Sequence, residues 1–161
     1  MNSIMFKELI DRYNAIAYTH NYIFGFTYKK TVYMAITTDK SMPYVCKLDK
    51  ASRGDGMALR FCPNEAQKIL LLTSAKPLCS EKYFNELCED KYVNAKGELT
   101  KYNRGEVFEK LVTEHFGQIW VKDNVPFTED GDLTVDGIAY QIKYQAATFC
   151  NEKSIANLEK K

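Results

Sequence analysis

The sequence lacks most of the features that announce a chemistry by themselves. Five cysteines are present (Cys46, Cys62, Cys79, Cys88, Cys150), but no two have the C-x-x-C spacing of a zinc knuckle or redox pair. An odd number of thiols without such a pattern reads as reduced, largely buried small hydrophobes of a cytosolic protein. No apolar run approaches the length that crosses a membrane. The first residues, MNSIMFKELIDRYN, mix acids with apolar positions and contain no h-region, so a signal peptide is not expected. Net charge is also nearly absent, at +1, so an anionic partner has to be met by a local patch and not by the field of the whole molecule. The sequence holds no P-loop, no G-x-G-x-x-G and no G-x-S-x-G. The two histidines, His20 and His115, have no serine or cysteine partner in a nucleophile pattern.

What is present is an ordinary globular composition, 45% hydrophobic and 27% charged in 161 residues, enough for one domain with its own core. Residues 4–17 place apolar side chains at helical spacing. YIFGFTY and TVYMAIT, on either side of Lys29-Lys30, read as an aromatic and β-branched hairpin, and MPYVCKLD as a short third strand. DKASRGDGM, residues 49–57, is a loop by composition. NEAQKILLLTSA and SEKYFNELCEDKY have helical character, the second with Ser80 as its cap. KGELTK is a break. NRGEVFEKLVTEHFG is a strong helix, capped by Asn103 and closed by Gly117. QIWVK reads as a strand, and NEKSIANLEKK as a last helix. The expected class is α+β with an α/β-type core. Its organisation is a mixed region over 1–100 and a helix–strand–hairpin–helix unit over 101–161, together one compact domain.

The segment DLTVDGIAYQIKYQ, residues 132–145, carries the chemistry. Asp136-Gly137 favours a two-residue type I′ turn, in which both central residues need positive φ. That turn sets Val135 opposite Ile138, Thr134 opposite Ala139, Leu133 opposite Tyr140 and Asp132 opposite Gln141. Alternation then gives an apolar face of Leu133, Val135, Ile138, Tyr140, Ile142 and Tyr144. Asp132, Thr134, Ala139, Gln141, Lys143 and Gln145 make the other face, where Asp132, Gln141 and Lys143 cluster. A carboxylate, an amide oxygen and the backbone carbonyl of Ile142 suit a hard cation such as Mg²⁺. A lysine beside them stabilises charge on a phosphate. A second carboxylate is needed, and the preceding helix offers Glu109, in its middle, or Glu106, in its first turn. Read instead as a calcium loop, the segment fails in both frames: one lacks the central glycine, the other the twelfth-position acid.

A helix carrying R-G-x-x-F-E (Arg104 to Glu109), a strand, an aspartate and a hairpin into Q-I-K resembles the PD-(D/E)xK nuclease superfamily in its Q-x-K variant. The resemblance spans roughly Asn103 to Gln145. It implies a restriction-endonuclease-like mixed β-sheet flanked by helices. Asp132, Glu109, Gln141 and the Ile142 carbonyl are then the metal ligands and Lys143 the motif lysine. The implied activity is Mg²⁺-dependent DNA cleavage, with Mn²⁺ able to substitute, leaving 5′-phosphate and 3′-hydroxyl ends. The first hundred residues would recognise DNA, dimerise or complete the sheet, and a homodimer is expected if both strands are cut. The alternative is a nuclease-fold module, weakened at Gln141, that binds DNA or protein without cutting.

Overall fold

The computed structural model describes Lys7, Glu8, Asp11 and residues 21–38, 46–50, 57–61, 63–120, 133–145 and 148–151. The protein is α+β: a curled, mixed five-stranded sheet, a three-stranded sheet, a short two-stranded ribbon and three helices make up the described residues. Lys7, Glu8 and Asp11 are helical and exposed, and the rest of the helix expected over 4–17 lies outside the described residues.

The main sheet begins with β1 (Asn21–Tyr28) and β2 (Thr31–Thr38), an antiparallel hairpin built from the aromatic and β-branched runs. Its turn, Lys29-Lys30, has φ of 46° and 66°, so two non-glycine residues occupy the left-handed region. The second sheet contains β3 (Cys46–Lys50) and β4 (Met57–Phe61), joined by β10 (Thr148–Asn151) in the order β10-β4-β3. Helix α1 (Glu65–Leu72) starts with a reciprocal capping box between Asn64 and Gln67. Strand β5 (Lys76–Ser80) pairs with β2 at one border of the main sheet. Its Pro77 has no N–H to donate, which confines such a strand to an edge, and the pairing is bulged between Val32 and Tyr33.

Helix α2 (Glu81–Cys88) follows β5 without a linker. Ser80 Oγ accepts from the Tyr83 N–H at 3.1 Å, and the Glu81 N–H donates to the Lys30 carbonyl. The β1–β2 turn thus fixes where α2 begins. Next come β6 (Lys91–Val93) and β7 (Leu99–Lys101), an antiparallel ribbon where the sequence suggests only a break.

Helix α3 (Arg104–His115) has its own capping box. Asn103 Oδ1 accepts from the Glu106 N–H at 2.7 Å, and Glu106 Oε1 accepts from the Asn103 N–H at 3.2 Å. Gly117, with φ of 73°, ends it in a Schellman pattern: the Gln118 N–H donates to the Thr113 carbonyl and the Gly117 N–H to the Glu114 carbonyl. The chain then leaves irregularly. Gln118–Trp120 form no strand, and the remainder of the expected QIWVK strand lies outside the described residues. The Gln118 side chain instead donates to the Thr134 carbonyl at 2.7 Å, tying the end of α3 to the edge of the sheet.

That edge is β8 (Leu133–Val135), hairpinned to β9 (Ile138–Tyr144). Asp136 and Gly137 have φ of 51° and 81°, the expected type I′ signature, and the observed pairs are Val135–Ile138, Thr134–Ala139 and Leu133–Tyr140. Strand β9 runs parallel to β1, and the full order is β5-β2-β1-β9-β8. One sheet therefore joins strands from both sides of residue 100. Asn151 belongs to β10, while 152–161, the rest of the expected last helix, lie outside the described residues.

The core lies between this sheet and helices α2 and α3. Phe84, Val107, Phe108 and Val112 pack on Ile23, Val32, Met34, Leu133, Ile142 and Tyr144. Gly25 is what lets α3 approach: a Cβ there would fall inside the van der Waals radius of the Phe108 ring. Arg104 lies over the Phe84 ring at 5.0 Å and donates to Asn85 Oδ1 at 2.9 Å, so the arginine of R-G-x-x-F-E clamps α3 to α2. No helix among the described residues is long and apolar enough to cross a membrane.

Candidate functional site

Strand β9 is central, so neither of its faces is simply solvated. Ile142 and Tyr144 point toward α3, and the Tyr144 ring lies 5.3 Å from Phe108 and 5.0 Å from Phe84. The Tyr144 hydroxyl shares a 2.5 Å hydrogen bond with Thr27 Oγ1. Alternation sends Gln141 and Lys143 to the opposite face. There the neighbours in register are Tyr22, beside Gln141, and Phe24, beside Lys143. Tyr22, Phe24, Phe26, Ala35 and Thr37, all on this face, are buried. Phe26 stacks between Phe24, at 6.3 Å, and Tyr33, at 5.7 Å.

The polar face of the hairpin is therefore graded. Near the turn Thr134 is exposed and Ala139 half-buried, as a solvated hairpin requires. Further along, Gln141 is only 4% exposed and Lys143 half-buried. The Gln141 amide Nε2 is buried without a hydrogen-bond partner. An unpaired buried donor costs about 1–3 kcal/mol, so this side chain is not explained by the protein around it. Beyond it, Gln145 takes φ of 45° and binds β1 twice: its N–H donates to the Gly25 carbonyl at 2.7 Å and its Oε1 accepts from the Thr27 N–H at 2.9 Å.

The other expected site residues distribute as follows. Asp132, and with it the Asp132–Gln141 pair, lies outside the described residues. Glu109 is half-buried in the middle of α3, one residue past Phe108, and its carbonyl accepts from the Thr113 hydroxyl at 2.7 Å. Glu106 is occupied by the capping box. Phe108 faces Tyr144, so α3 covers the sheet face opposite to Gln141 and Lys143. The structure thus brings Gln141 and Lys143 together on one face and sets the helix acids beyond the other.

The thiols and imidazoles contribute no catalytic group. Cys79 and Cys88 are free, and burial raises both thiol pKa values; at Cys88, Glu89 adds to the rise and Arg104 opposes it. His115 is exposed and packs edge-on against Phe116 at 5.1 Å. An open groove of about 720 Å³ borders α2, lined by Lys30, Ser80, Lys82, Asn85, Glu86 and Glu89 among others, and contains none of the expected residues. Sequence reasoning missed Tyr22 and Thr37, the neighbours of Gln141 across the sheet. Their strands were legible, but the parallel β1–β9 pairing that brings them to Gln141 has no local signal.

The chain matches no protein-family model, no curated protein and no solved structure.

Proposed function

We propose that the protein is a metal-dependent DNA endonuclease of restriction-endonuclease-like fold, whose site lies on the face of β9 that carries Gln141 and Lys143. The observation that carries this reading is the unpartnered Gln141 amide beside Lys143 on a buried sheet face. The donors in prospect there, the Asp132 carboxylate, the Gln141 amide oxygen and the Ile142 carbonyl, are all hard oxygens, which fits Mg²⁺ or Mn²⁺ and not a thiolate-seeking ion. Capture of Glu106 by the helix cap favours Glu109 as the helix acid, reaching the site past the β8 edge.

A divalent ion held by Asp132, Gln141, the Ile142 carbonyl and Glu109 supplies Lewis acidity to the scissile phosphate. Lys143 projects to the same face as Gln141, where its ammonium balances charge gathering on the phosphate oxygens during hydrolysis. The apolar neighbours Tyr22 and Phe24 exclude water and strengthen that electrostatic effect. The substrate is DNA, the working compartment the cytoplasm, and a homodimer supplies the second cut. The second reading, a DNA- or protein-binding module that does not cut, is favoured by the burial of Gln141 among aromatic side chains.

Plasmid nicking separates the two. Wild type should nick supercoiled DNA with Mg²⁺ or Mn²⁺ and not with EDTA, while Asp132→Ala and Lys143→Ala should each lose at least about a hundredfold in rate, as loss of a main electrostatic group does. Glu109→Ala should lose less. Metal-dependent nicking that survives both of the first two substitutions would remove the site from β9.

A further inference from the structure

Among the described residues three buried side-chain polar atoms lack a hydrogen-bond partner: Thr37 Oγ1, Gln141 Nε2 and Trp120 Nε1. Two of the three occupy one row of the main sheet. Thr37 on β2 is in register with Tyr22 on β1, and Tyr22 with Gln141 on β9. Residues in register point to the same face, so Thr37, Tyr22 and Gln141 form a line across the face opposite α3, its ends roughly 10 Å apart at two strand spacings. Thr37 is 5% exposed and Gln141 4%. The next row on that face, Ala35, Phe24 and Lys143, has apolar side chains on β2 and β1.

We infer that the Thr37–Tyr22–Gln141 row is a track for the substrate strand, an inference that rests on the nuclease reading above. Valine at 37 and leucine at 141 would fill similar volumes without leaving a buried polar atom unpaired. Two such atoms in one row indicate a partner that is not part of the fold. The donor–acceptor inventory identifies its chemistry. The Gln141 Nε2 donates to a phosphate oxygen, next to the cationic Lys143. The Thr37 hydroxyl, able both to donate and to accept, takes a sugar oxygen or base edge of the adjoining nucleotide. The Tyr22 ring between them offers a flat surface to the nucleotide. The neutral amide at 141 then has its own purpose: an ionised glutamate only accepts, whereas glutamine accepts through Oε1 and donates through Nε2.

The test uses the full chain carrying Lys143→Ala, so that bound DNA is not consumed, with fluorescently labelled single- and double-stranded oligonucleotides in Mg²⁺ and anisotropy as the readout. Adding Thr37→Val or Gln141→Leu should weaken binding about tenfold, the loss of one well-formed hydrogen bond. Thr37→Ser, which keeps the hydroxyl, should retain the parent's affinity. Thermal midpoints of the valine and leucine variants should equal or exceed the parent's, because each removes an unpaired buried group. Undiminished binding by both overturns the track while leaving the nuclease reading intact. Weakened binding together with a clearly lowered midpoint marks the row as structural and also overturns it. Failure of the parent to bind either oligonucleotide overturns the nuclease reading and the track with it.

Discussion

Gly25 is the position at which the helix that would carry the acid meets the sheet that would carry the lysine, and Gly25→Ala tests that contact. The Phe108 ring fills the space a Cβ would need, and Phe108 is fully buried between Gly25 and Tyr144. A methyl group must therefore shift the ring or lift α3 from β1. Overpacking of this kind costs about 1–3 kcal/mol. Alanine recovers about 0.4–1 kcal/mol by restricting the unfolded chain. The expected net loss is about 1–2 kcal/mol, which in a domain of this size lowers the melting midpoint by roughly 2–8 °C. Phe108→Leu alone should cost about 1–2 kcal/mol as a large-to-small core change. In the double variant the smaller side chain makes room for the methyl, so the combined loss should fall short of the sum by at least about 0.5 kcal/mol. Urea denaturation of the four proteins measures this cycle. A stabilised Gly25→Ala, or losses that add within about 0.3 kcal/mol, would refute the described contact between α3 and β1.

Two further outcomes follow from local geometry. Replacing Lys29-Lys30 by Asn-Gly should stabilise the protein by about 1 kcal/mol, since it relieves two left-handed lysines at the loss of a 5.5 Å contact between Lys29 and the Tyr28 ring; an unchanged urea midpoint would contradict the type I′ turn. The 2.6 Å hydrogen bond from Lys101 Nζ, and then the charge of Lys101, hold the Glu89 carboxyl below its usual range against a small desolvation effect, with Lys91 contributing less. A depressed carboxylate favours the folded state above its unfolded pKa and loses that contribution as pH falls through the folded value. An NMR titration should therefore find the Glu89 midpoint low, rising toward the ordinary value in Lys101→Met or at high salt, and a midpoint insensitive to both would rule out the pair.

The sequence and the structure agree where a local rule decides the backbone. Asp136-Gly137 demanded positive φ at both positions, and the register of the β8–β9 hairpin followed from it. Asn103, Ser80 and Gly117 stand at the helix termini where side-chain caps and a left-handed glycine are required. The same rules were silent about β5, whose Pro77 argues against a strand unless an edge is available, and availability is a property of the whole sheet. The ribbon β6–β7 was hidden for a related reason: three-residue strands are too short to display alternation. For the candidate site, the hairpin placed Gln141 and Lys143 on a common face. It could not tell that β1 would lie parallel alongside, burying Gln141 beside Tyr22. Parallel pairing across more than a hundred residues leaves no short-range trace, and it converts an apparently solvated polar face into a largely enclosed one. The helix acids show the same limit. Spacing allowed either Glu106 or Glu109 to face the sheet, and only the closed capping box assigned Glu106 to the helix terminus.

The claim on which the account turns is that a divalent cation binds at the Gln141–Lys143 face of β9. Mn²⁺ titration of the isotopically labelled full chain, read as paramagnetic line broadening, measures it directly. The Gln141 side-chain amide and the backbone amides of Ile142 and Lys143 should broaden first, near stoichiometric Mn²⁺, and recover when the titration is repeated on Asp132→Asn. Broadening confined to other acidic surfaces such as Glu81–Glu89, or unchanged by the Asp132 substitution, would contradict it.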